Sequence, residues 1–175
     1  MKKMRTIDFK RIDWLVLDVD GVLTDGTIYL RGDGSETKRF NLKDGHGIRM
    51  WKRAGGDVAL LSGRASMATQ CRAEQLEIQH VFQDCHHKLP VLKEFLDRLK
   101  IGPERVAFLG DDLMDIPAVR HVGFGAAVAG AVQELKDQAD YVTRQNGGDG
   151  AVRELIEYIL KRADKWTALM ERYLT

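Results

Sequence analysis

Two carboxylates at alternate positions, Asp18 and Asp20, stand at the end of an apolar run that begins at Trp14. The run from Trp14 to Val19 is typical of a strand buried on both faces, because its apolar residues are continuous. A lone Asp at a strand end usually serves a turn. Two like charges this close need a bound cation or a shared proton, so the pair indicates metal binding or proton transfer.

A second acidic cluster, Gly110-Asp111-Asp112-Leu113-Met114-Asp115, ends another apolar run. Acidic residues at two strand ends favour a hard divalent cation, and Mg²⁺ suits these oxygen ligands better than Zn²⁺. Asp112 and Asp115 have an alternative role as caps of the helix that follows. The two clusters together predict a Mg²⁺ site.

Ser62 and Lys88 are candidate phosphate ligands. Ser62 follows an apolar run at the start of a helical segment, where a hydroxyl and backbone N–H groups can bind a phosphate. The alternative is that Ser62 only caps that helix. Lys88 opens a helix, where the helix dipole does not favour a cation, so a nearby anion would explain it. A solvated surface lysine is the alternative there.

These residues need a scaffold that brings strand ends together. Short apolar runs alternate with helix-like segments along the chain. The predicted strands are Trp14 to Val19, Val58 to Leu61, His80 to Phe82, Val106 to Leu109, Val122 to Phe124 and Tyr141 to Val142. The predicted helices between them are Ser66 to Leu76, Leu89 to Leu99 and Ala131 to Asp137. This order predicts a doubly wound α/β domain with a mostly parallel sheet, whose ligands lie beyond the carboxyl ends of the strands.

One segment departs from this alternation. Thr27 to Leu30 and Lys38 to Leu42 flank a Gly-rich turn and predict a β-hairpin inserted after the first strand, at about residues 26–42. The chain ends in a helical pattern from Ala151 to Tyr173. We therefore predict one domain over residues 1–175, with a hairpin and no cap domain.

Composition narrows the possible partners. The 27 Lys and Arg residues against 26 Asp and Glu residues give a formal net charge of +1, so no whole-chain field favours nucleic acid or an anionic membrane. The first apolar run is too short for a signal-peptide core or a membrane span. Cys71 and Cys85 are too few for a disulfide framework and suit a reducing compartment. We expect a cytoplasmic protein.

The acidic clusters and the phosphate ligands resemble, in order and spacing, the motifs of the haloacid-dehalogenase superfamily of phosphatases. The residues that carry this resemblance are Asp18-x-Asp20, Ser62, Lys88 and Gly110-Asp111-Asp112-x-x-Asp115. The resemblance implies that Asp18 is a nucleophile that forms an aspartyl-phosphate. It implies that Asp20 acts as general acid and then as general base. Mg²⁺ would be held by Asp18, the main-chain carbonyl of Asp20, and Asp111.

The remaining motif residues take supporting roles under the same resemblance. Asp112 and Asp115 would orient metal ligands, waters or Lys88 from outside the metal's own ligand shell. Lys88 and Ser62 would share with the metal the task of neutralising the phosphoryl group. The reaction implied is Mg²⁺-dependent hydrolysis of a phosphomonoester.

Within the superfamily the chain resembles the capless 3-deoxy-D-manno-octulosonate 8-phosphate (KDO 8-phosphate) phosphatases over about residues 12–160. The segments concerned are Asp18 to Gly26, Asn41 to Ile48, Gly110 to Pro117 and Gly147 to Glu154. This resemblance implies a sugar-acid phosphate as substrate. The substrate-binding candidates are Thr24, Gly63, Arg64 and Arg72. The two arginines suit a carboxylate, although a simple surface position serves equally for Arg72.

Further expectations concern substrate preference, the alternative functions and the oligomeric state. Relatives usually carry a small or amide/acidic residue where this chain has His86-His87, which concerns fine substrate preference. A nine-carbon ulosonate 9-phosphate is the alternative substrate. The alternative outside enzymes is a receiver module phosphorylated on Asp. The resemblance also implies a homo-oligomer, a tetramer built through the hairpin, whose apolar side chains would otherwise lack cover. The alternative is a hairpin folded back on its own domain.

Overall fold

The computed structural model describes residues 6–174 and contains a six-stranded sheet, a two-stranded sheet and surrounding helices. The strands are β1 (Trp14–Leu17), β2 (Tyr29–Leu30), β3 (Glu36–Thr37), β4 (Asp57–Leu61), β5 (His80–Phe82), β6 (Val106–Gly110), β7 (Phe124–Ala127) and β8 (Tyr141–Val142). The helices are α1 (Leu42–Arg53), α2 (Met67–Gln75), α3 (Lys88–Leu99), α4 (Ile116–His121), α5 (Gln133–Lys136), α6 (Ala151–Arg162) and α7 (Trp166–Leu174). No helix within residues 6–174 is long and apolar enough to cross a membrane.

The large sheet has the order β5-β4-β1-β6-β7-β8, and all its strand pairs are parallel. Counted along the chain, this is the doubly wound order 3-2-1-4-5-6, which confirms the predicted α/β fold. Receiver modules have the order 2-1-3-4-5, so the receiver alternative is wrong. In the observed order the strand sequence reverses between β1 and β6, and ligands bind at the carboxyl ends of strands at such a point.

The register of the central strands places the predicted acidic residues side by side. Leu17 at the end of β1 pairs with Leu60 of β4 on one side and with Leu109 of β6 on the other. These leucines are at most 1% exposed, as expected for a sheet covered by helices on both faces. The chain segments that follow Leu17 and Leu109 therefore leave the sheet next to each other.

The hairpin is shorter than predicted. Only Tyr29–Leu30 and Glu36–Thr37 pair as strands, and a separate bridge joins Thr24 to Phe40. Phe40 is half-buried against the core, and Leu42 begins α1 instead of ending a strand. Asn41 stops the extended segment because its side chain accepts a hydrogen bond from the Lys43 N–H and caps α1.

Two other boundaries differ from the sequence prediction. The last helix is divided, because Asp164 adopts a φ of +59° between α6 and α7. A left-handed residue at this point ends α6 and lets a second helix begin at Trp166. The strand predicted at Val122 to Phe124 begins at Phe124 and continues through small residues to Ala127. The helix expected after the second acidic cluster, for which the sequence indicates no bounds, is α4.

The loop after β1 packs against the glycine-rich segment near residue 147. A Cβ atom at Gly147 would lie 1.7 Å from the carbonyl oxygen of Gly21, so only glycine allows this approach. The Gly148 N–H donates to the Val22 carbonyl. Arg39 adds ion pairs to Asp25 and Asp149. The loop that follows Asp18 is thus fixed by residues from the other end of the chain.

Candidate active site

A cavity of about 340 Å³ lies at the carboxyl ends of β1, β4 and β6. It is lined by Asp18, Asp20, Gly63, Arg64, His86, Lys88, Asp111, Asp112 and Met114. The fold therefore brings together residues from all four predicted motif regions, which are distant in sequence. The cavity is at the position where the strand order reverses.

Lys88 is the central cation of this site. It is 4% exposed and lies at the start of α3, with its Nζ 2.8 Å from Asp18 Oδ1 and in a second ion pair with Asp115. Burial lowers the pKa of Lys88, but the two carboxylates outweigh this and raise it above its ordinary value. Lys88 is therefore a buried, charged anion partner, and the alternative of a solvated surface lysine is wrong.

Asp115 is buried and binds Lys88 and the backbone of the second acidic cluster. Its Oδ2 accepts hydrogen bonds from the N–H groups of Asp111 and Asp112, while its Oδ1 pairs with Lys88. Asp112 in turn accepts from the Leu113 N–H, and the two acids form a reciprocal capping box on the 3₁₀ turn Leu113–Asp115. The expected capping role is thus present, and both oxygens of Asp115 are already occupied by protein donors.

Asp18, Asp111 and Asp115 carry more negative charge than Lys88 can balance. Their carboxylate oxygens lie within 4.8 Å of one another. Within residues 6–174, this is the one group of at least three His, Cys, Asp or Glu side chains close enough together to hold a metal ion. Burial and the charge of Asp115 raise the pKa of Asp18, and burial and the charge of Asp18 raise the pKa of Asp111. A hard divalent cation would remove this repulsion, so the donor set fits one, with Asp18 and Asp111 as side-chain ligands.

Gly21 provides the space for Asp111. A Cβ atom at Gly21 would lie 2.0 Å from Asp111 Oδ2, and Gly21 adopts a φ of +86°. Both the left-handed backbone and the close approach therefore require glycine. This residue was not among the candidates, although glycine directly after two strand-end acids is a signal that could have identified it.

Asp20 lies at the rim of the cavity and is held by a lysine that the sequence did not indicate. Lys38 Nζ is 2.8 Å from Asp20 Oδ1 and 3.0 Å from Oδ2. The Lys38 side chain is fully buried, whereas Asp20 is 22% exposed. Lys38 comes from the hairpin, and its position beside Asp20 depends on how the hairpin folds back.

The loop after β4 contributes Gly63 and Arg64 to the cavity lining. Ser62 is buried, and its hydroxyl donates to the Arg64 carbonyl and accepts from the Arg64 N–H, so here it shapes the loop. The helix cap is Ser66, which accepts from the Thr69 N–H, so the alternative of Ser62 as an N-cap is wrong. Arg64 is exposed and pairs with Glu36 of the hairpin at 3.1 Å.

Two predicted substrate ligands lie outside the cavity lining. Thr24 is completely buried, and its hydroxyl accepts from the N–H groups of Gly21 and Gly26, which fixes the loop after β1. Arg72 is half-buried, lies over the Phe40 ring and donates to the Asn41 carbonyl. The structure therefore gives Thr24 and Arg72 contacts with the protein itself.

His86 lies at the cavity wall, with its side chain 74% exposed and 3.4 Å from Asp84. His87 is exposed at the N-cap position of α3 and makes no capping hydrogen bond through its side chain. The first histidine of the pair is therefore the one that faces the site.

Comparisons with known proteins agree with this geometry. A family model described as haloacid dehalogenase-like hydrolase matches residues 78–155. The 3-deoxy-D-manno-octulosonate 8-phosphate phosphatase KdsC of Escherichia coli K12 is 45% identical over 151 residues, which cover 86% of this chain and 80% of that protein.

Two solved structures are similar over almost the whole chain. A probable YrbI family phosphatase from Pseudomonas syringae pv. phaseolica 1448a has a TM-score of 0.93 at 46% identity, covering 95% of each chain. The phosphatase of Moraxella catarrhalis, solved with magnesium, phosphate and KDO, has a TM-score of 0.92 at 38% identity, covering 94% of this chain and 95% of that one. This chain therefore belongs to the 3-deoxy-D-manno-octulosonate 8-phosphate phosphatase family of the haloacid dehalogenase-like hydrolases, and it is a phosphoric monoester hydrolase.

Proposed function

We propose that the protein hydrolyses KDO 8-phosphate to KDO and inorganic phosphate in a Mg²⁺-dependent reaction through an aspartyl-phosphate on Asp18. The observation that carries this proposal is the position of Asp18. Asp18 directly follows β1, and its buried carboxylate pairs with Lys88 and lies beside Asp111. The chain is also 45% identical to phosphatases of that substrate.

In the first step, a carboxylate oxygen of Asp18 attacks phosphorus and the bond from phosphorus to the sugar oxygen breaks. Lys88 holds Asp18 Oδ1 and so fixes the orientation of the nucleophile. Lys88 also offers positive charge to the phosphoryl oxygens. Asp20 donates a proton to the departing alkoxide, which would otherwise be a poor leaving group.

In the second step, water attacks the phosphorus of the aspartyl-phosphate and releases phosphate from Asp18. Asp20, now a carboxylate, accepts the proton of that water. Mg²⁺ bound by Asp18, the main-chain carbonyl of Asp20 and Asp111 would supply charge that neutralises the phosphoryl group. Asp115 keeps Lys88 and the backbone of Asp111 in place through the hydrogen bonds described above.

Arg64 is our candidate ligand for the carboxylate of the sugar acid. It lines the same cavity as Asp18 and is exposed, and its guanidinium already binds a carboxylate, that of Glu36. The forked donors of arginine suit such a group. His86, on the same wall, is the second candidate for contact with the sugar.

A panel of phosphorylated sugar acids tests the substrate. We expect kcat/KM for KDO 8-phosphate to exceed that for a nine-carbon ulosonate 9-phosphate. A preference for the nine-carbon substrate would overturn the proposed substrate while keeping the phosphatase activity. Arg64→Gln should raise KM for the sugar acid phosphate more than KM for p-nitrophenyl phosphate, which has no carboxylate.

We further propose that residues 1–175 act as one domain and that the reaction takes place in the cytoplasm. Support for the second point comes from the cysteines, since Cys71 and Cys85 are both free thiols, as a reducing compartment requires. Activity in the soluble cell fraction, measured with the substrate panel, tests this location.

A further inference from the structure

Lys38 is a fully buried cation at the edge of the active site. Burying an ammonium group is costly unless it is paired and hydrogen-bonded. Its Nζ contacts both oxygens of Asp20, at 2.8 and 3.0 Å, and lies 3.4 Å from the hydroxyl oxygen of Thr69, which is itself buried. A single donor that contacts both carboxylate oxygens restricts the rotation of the Asp20 side chain.

A second carboxylate forms a longer ion pair with Lys38. Glu36 Oε1 is 3.6 Å from Lys38 Nζ, and Glu36 Oε2 binds Arg64. Lys38 therefore pairs with two acids, and only the nearer one, Asp20, lines the cavity. The hairpin thus places the buried ammonium group of Lys38 beside one cavity residue, Asp20.

Anchoring of the hairpin does not by itself explain this arrangement. The neighbouring Arg39 already ties the base of the hairpin to the domain through Asp25 and Asp149, with a side chain that is 54% exposed. Because alternate residues of an extended segment point to opposite sides, Arg39 takes the outer position and Lys38 the inner one. The inner position is the one that reaches Asp20.

We propose that Lys38 is a positioning residue that aims the carboxyl group of Asp20 at the leaving-group oxygen. Lys38 neither touches the substrate nor exchanges a proton. The transferred proton passes from Asp20 to the alkoxide and later from water to Asp20. This inference rests on the proposed function, because it takes Asp20 to be the acid and base.

The test compares two leaving groups. An alkyl sugar phosphate needs protonation of its leaving oxygen, whereas p-nitrophenolate leaves without it. We expect Lys38→Met to lower kcat/KM for KDO 8-phosphate, which reports phosphoryl transfer to Asp18, by roughly 10- to 100-fold, a part of what general acid catalysis supplies. The kcat/KM for p-nitrophenyl phosphate should stay within about threefold of the parent protein, since transfer from this substrate does not use the acid.

Arg39→Met is the matched control, because it loosens the same hairpin without touching Asp20. We expect it to leave the ratio of the two kcat/KM values unchanged. Lys38→Arg keeps a cation and should restore part of the ratio. Circular dichroism of each variant establishes that it is folded, and Lys38→Gln replaces Lys38→Met if that variant does not fold.

A double-mutant comparison distinguishes failure of the proposed role of Lys38 from failure of the proposed role of Asp20 as the acid. In an Asp20→Asn background, Lys38→Met should cause no further change in the ratio, since there is no acid left to position. Equal losses on both substrates for Lys38→Met, or the same ratio change in Arg39→Met, overturn the role of Lys38. Equal losses for Asp20→Asn alone would instead overturn Asp20 as the acid.

Discussion

The chemistry of Asp18 arises from the charges packed around it. A carboxylate buried beside Asp115 and Asp111 is disfavoured in its ionised form, and Lys88 alone does not balance the three acids. The proposed nucleophile is therefore a residue whose charged form depends on its partners.

Asp18→Asn should abolish turnover while leaving the fold intact, because the amide has nearly the same shape but is a poor nucleophile. Phosphate release, measured against a thermal unfolding curve, checks both points. Asp57→Asn, at the exposed start of β4, is the control and should behave as the parent protein. Residual activity above about a hundredth of the parent value would contradict a covalent role for Asp18.

Gly21→Ala should also inactivate the enzyme, since the new methyl group would lie 2.0 Å from Asp111 Oδ2. The matched control is Gly55→Ala. Gly55 has the same φ of +86°, but no atom lies within 4 Å of a Cβ there. Both variants should lose about 1 to 2 kcal/mol of stability from the left-handed backbone alone, and only Gly21→Ala should lose activity. If kcat falls equally in both, the crowding of Asp111 is not the cause.

The sequence identifies candidate residues whose position in a local pattern is informative, and it misses residues whose role depends on a tertiary contact. Asp18, Asp20, Asp111 and Lys88 follow strand ends or open a helix, so a local pattern indicates them. Lys38 is different, because its importance depends on a contact with Asp20 that only the folded hairpin creates.

Individual elements show why tertiary contacts override local propensity. Helix α1 contains Gly45 and Gly47, which lower helix propensity, and it was not predicted. A Cβ at Gly45 would lie 2.4 Å from Arg72 Nη2, and one at Gly47 would lie 3.1 Å from the Cα of Arg153. These glycines allow α1 to pack closely against its neighbours. Helix propensity alone counts the same glycines against a helix here.

The junction of α1 and α6 contains a cap supplied from another helix. Asp44 is buried in α1, and its Oδ1 accepts a hydrogen bond of 2.8 Å from the Arg153 N–H in the first turn of α6. Asp44→Ala should lower the free energy of unfolding by about 1 to 3 kcal/mol, because it leaves this donor unpaired. Urea denaturation measures the change. The exposed neighbour Lys43→Ala serves as control, and equal stability of the two variants would show that the cap is unimportant.

The hairpin should build an oligomer, as the resemblance implied. Tyr29 and Leu30 are 57% and 73% exposed, whereas Phe40 is half-buried against the core of its own domain. We expect light scattering to give a tetramer, and Tyr29→Thr with Leu30→Thr to give smaller species, because edges and apolar side chains of neighbouring hairpins could pair. Leu99→Gln, in α3, is the control. A monomeric and fully active parent protein would defeat this prediction.

For the whole molecule, metal binding should link activity and stability. Removal of divalent ions with a chelator should stop turnover, and Mg²⁺ should restore it, since the available ligands are oxygens. Mg²⁺ should also raise the unfolding temperature, because it binds the folded cluster only. Asp111→Asn should weaken this rise, which calorimetry measures. Full activity in a verified metal-free sample would contradict the acidic-cluster argument.

The architecture as a whole was predictable because continuous apolar runs mark strands buried on both faces, as at Leu15 and Phe108. The division at Asp164 was not, because the apolar spacing continues across it to Trp166 and Leu169. Only the left-handed backbone at that residue separates α6 from α7.

The packing of Gly147 against the loop after β1 also sets when this protein can become active during its synthesis. The acidic residues at positions 18 and 20 leave the ribosome early, but the segment that supports their loop is made after more than four-fifths of the chain. A nascent chain that ends before Gly147 lacks the contact with Gly21 and the hydrogen bond from Gly148 to Val22. We expect translation products truncated before Gly147 to be inert, so that phosphatase activity arises only from chains that extend beyond Gly148.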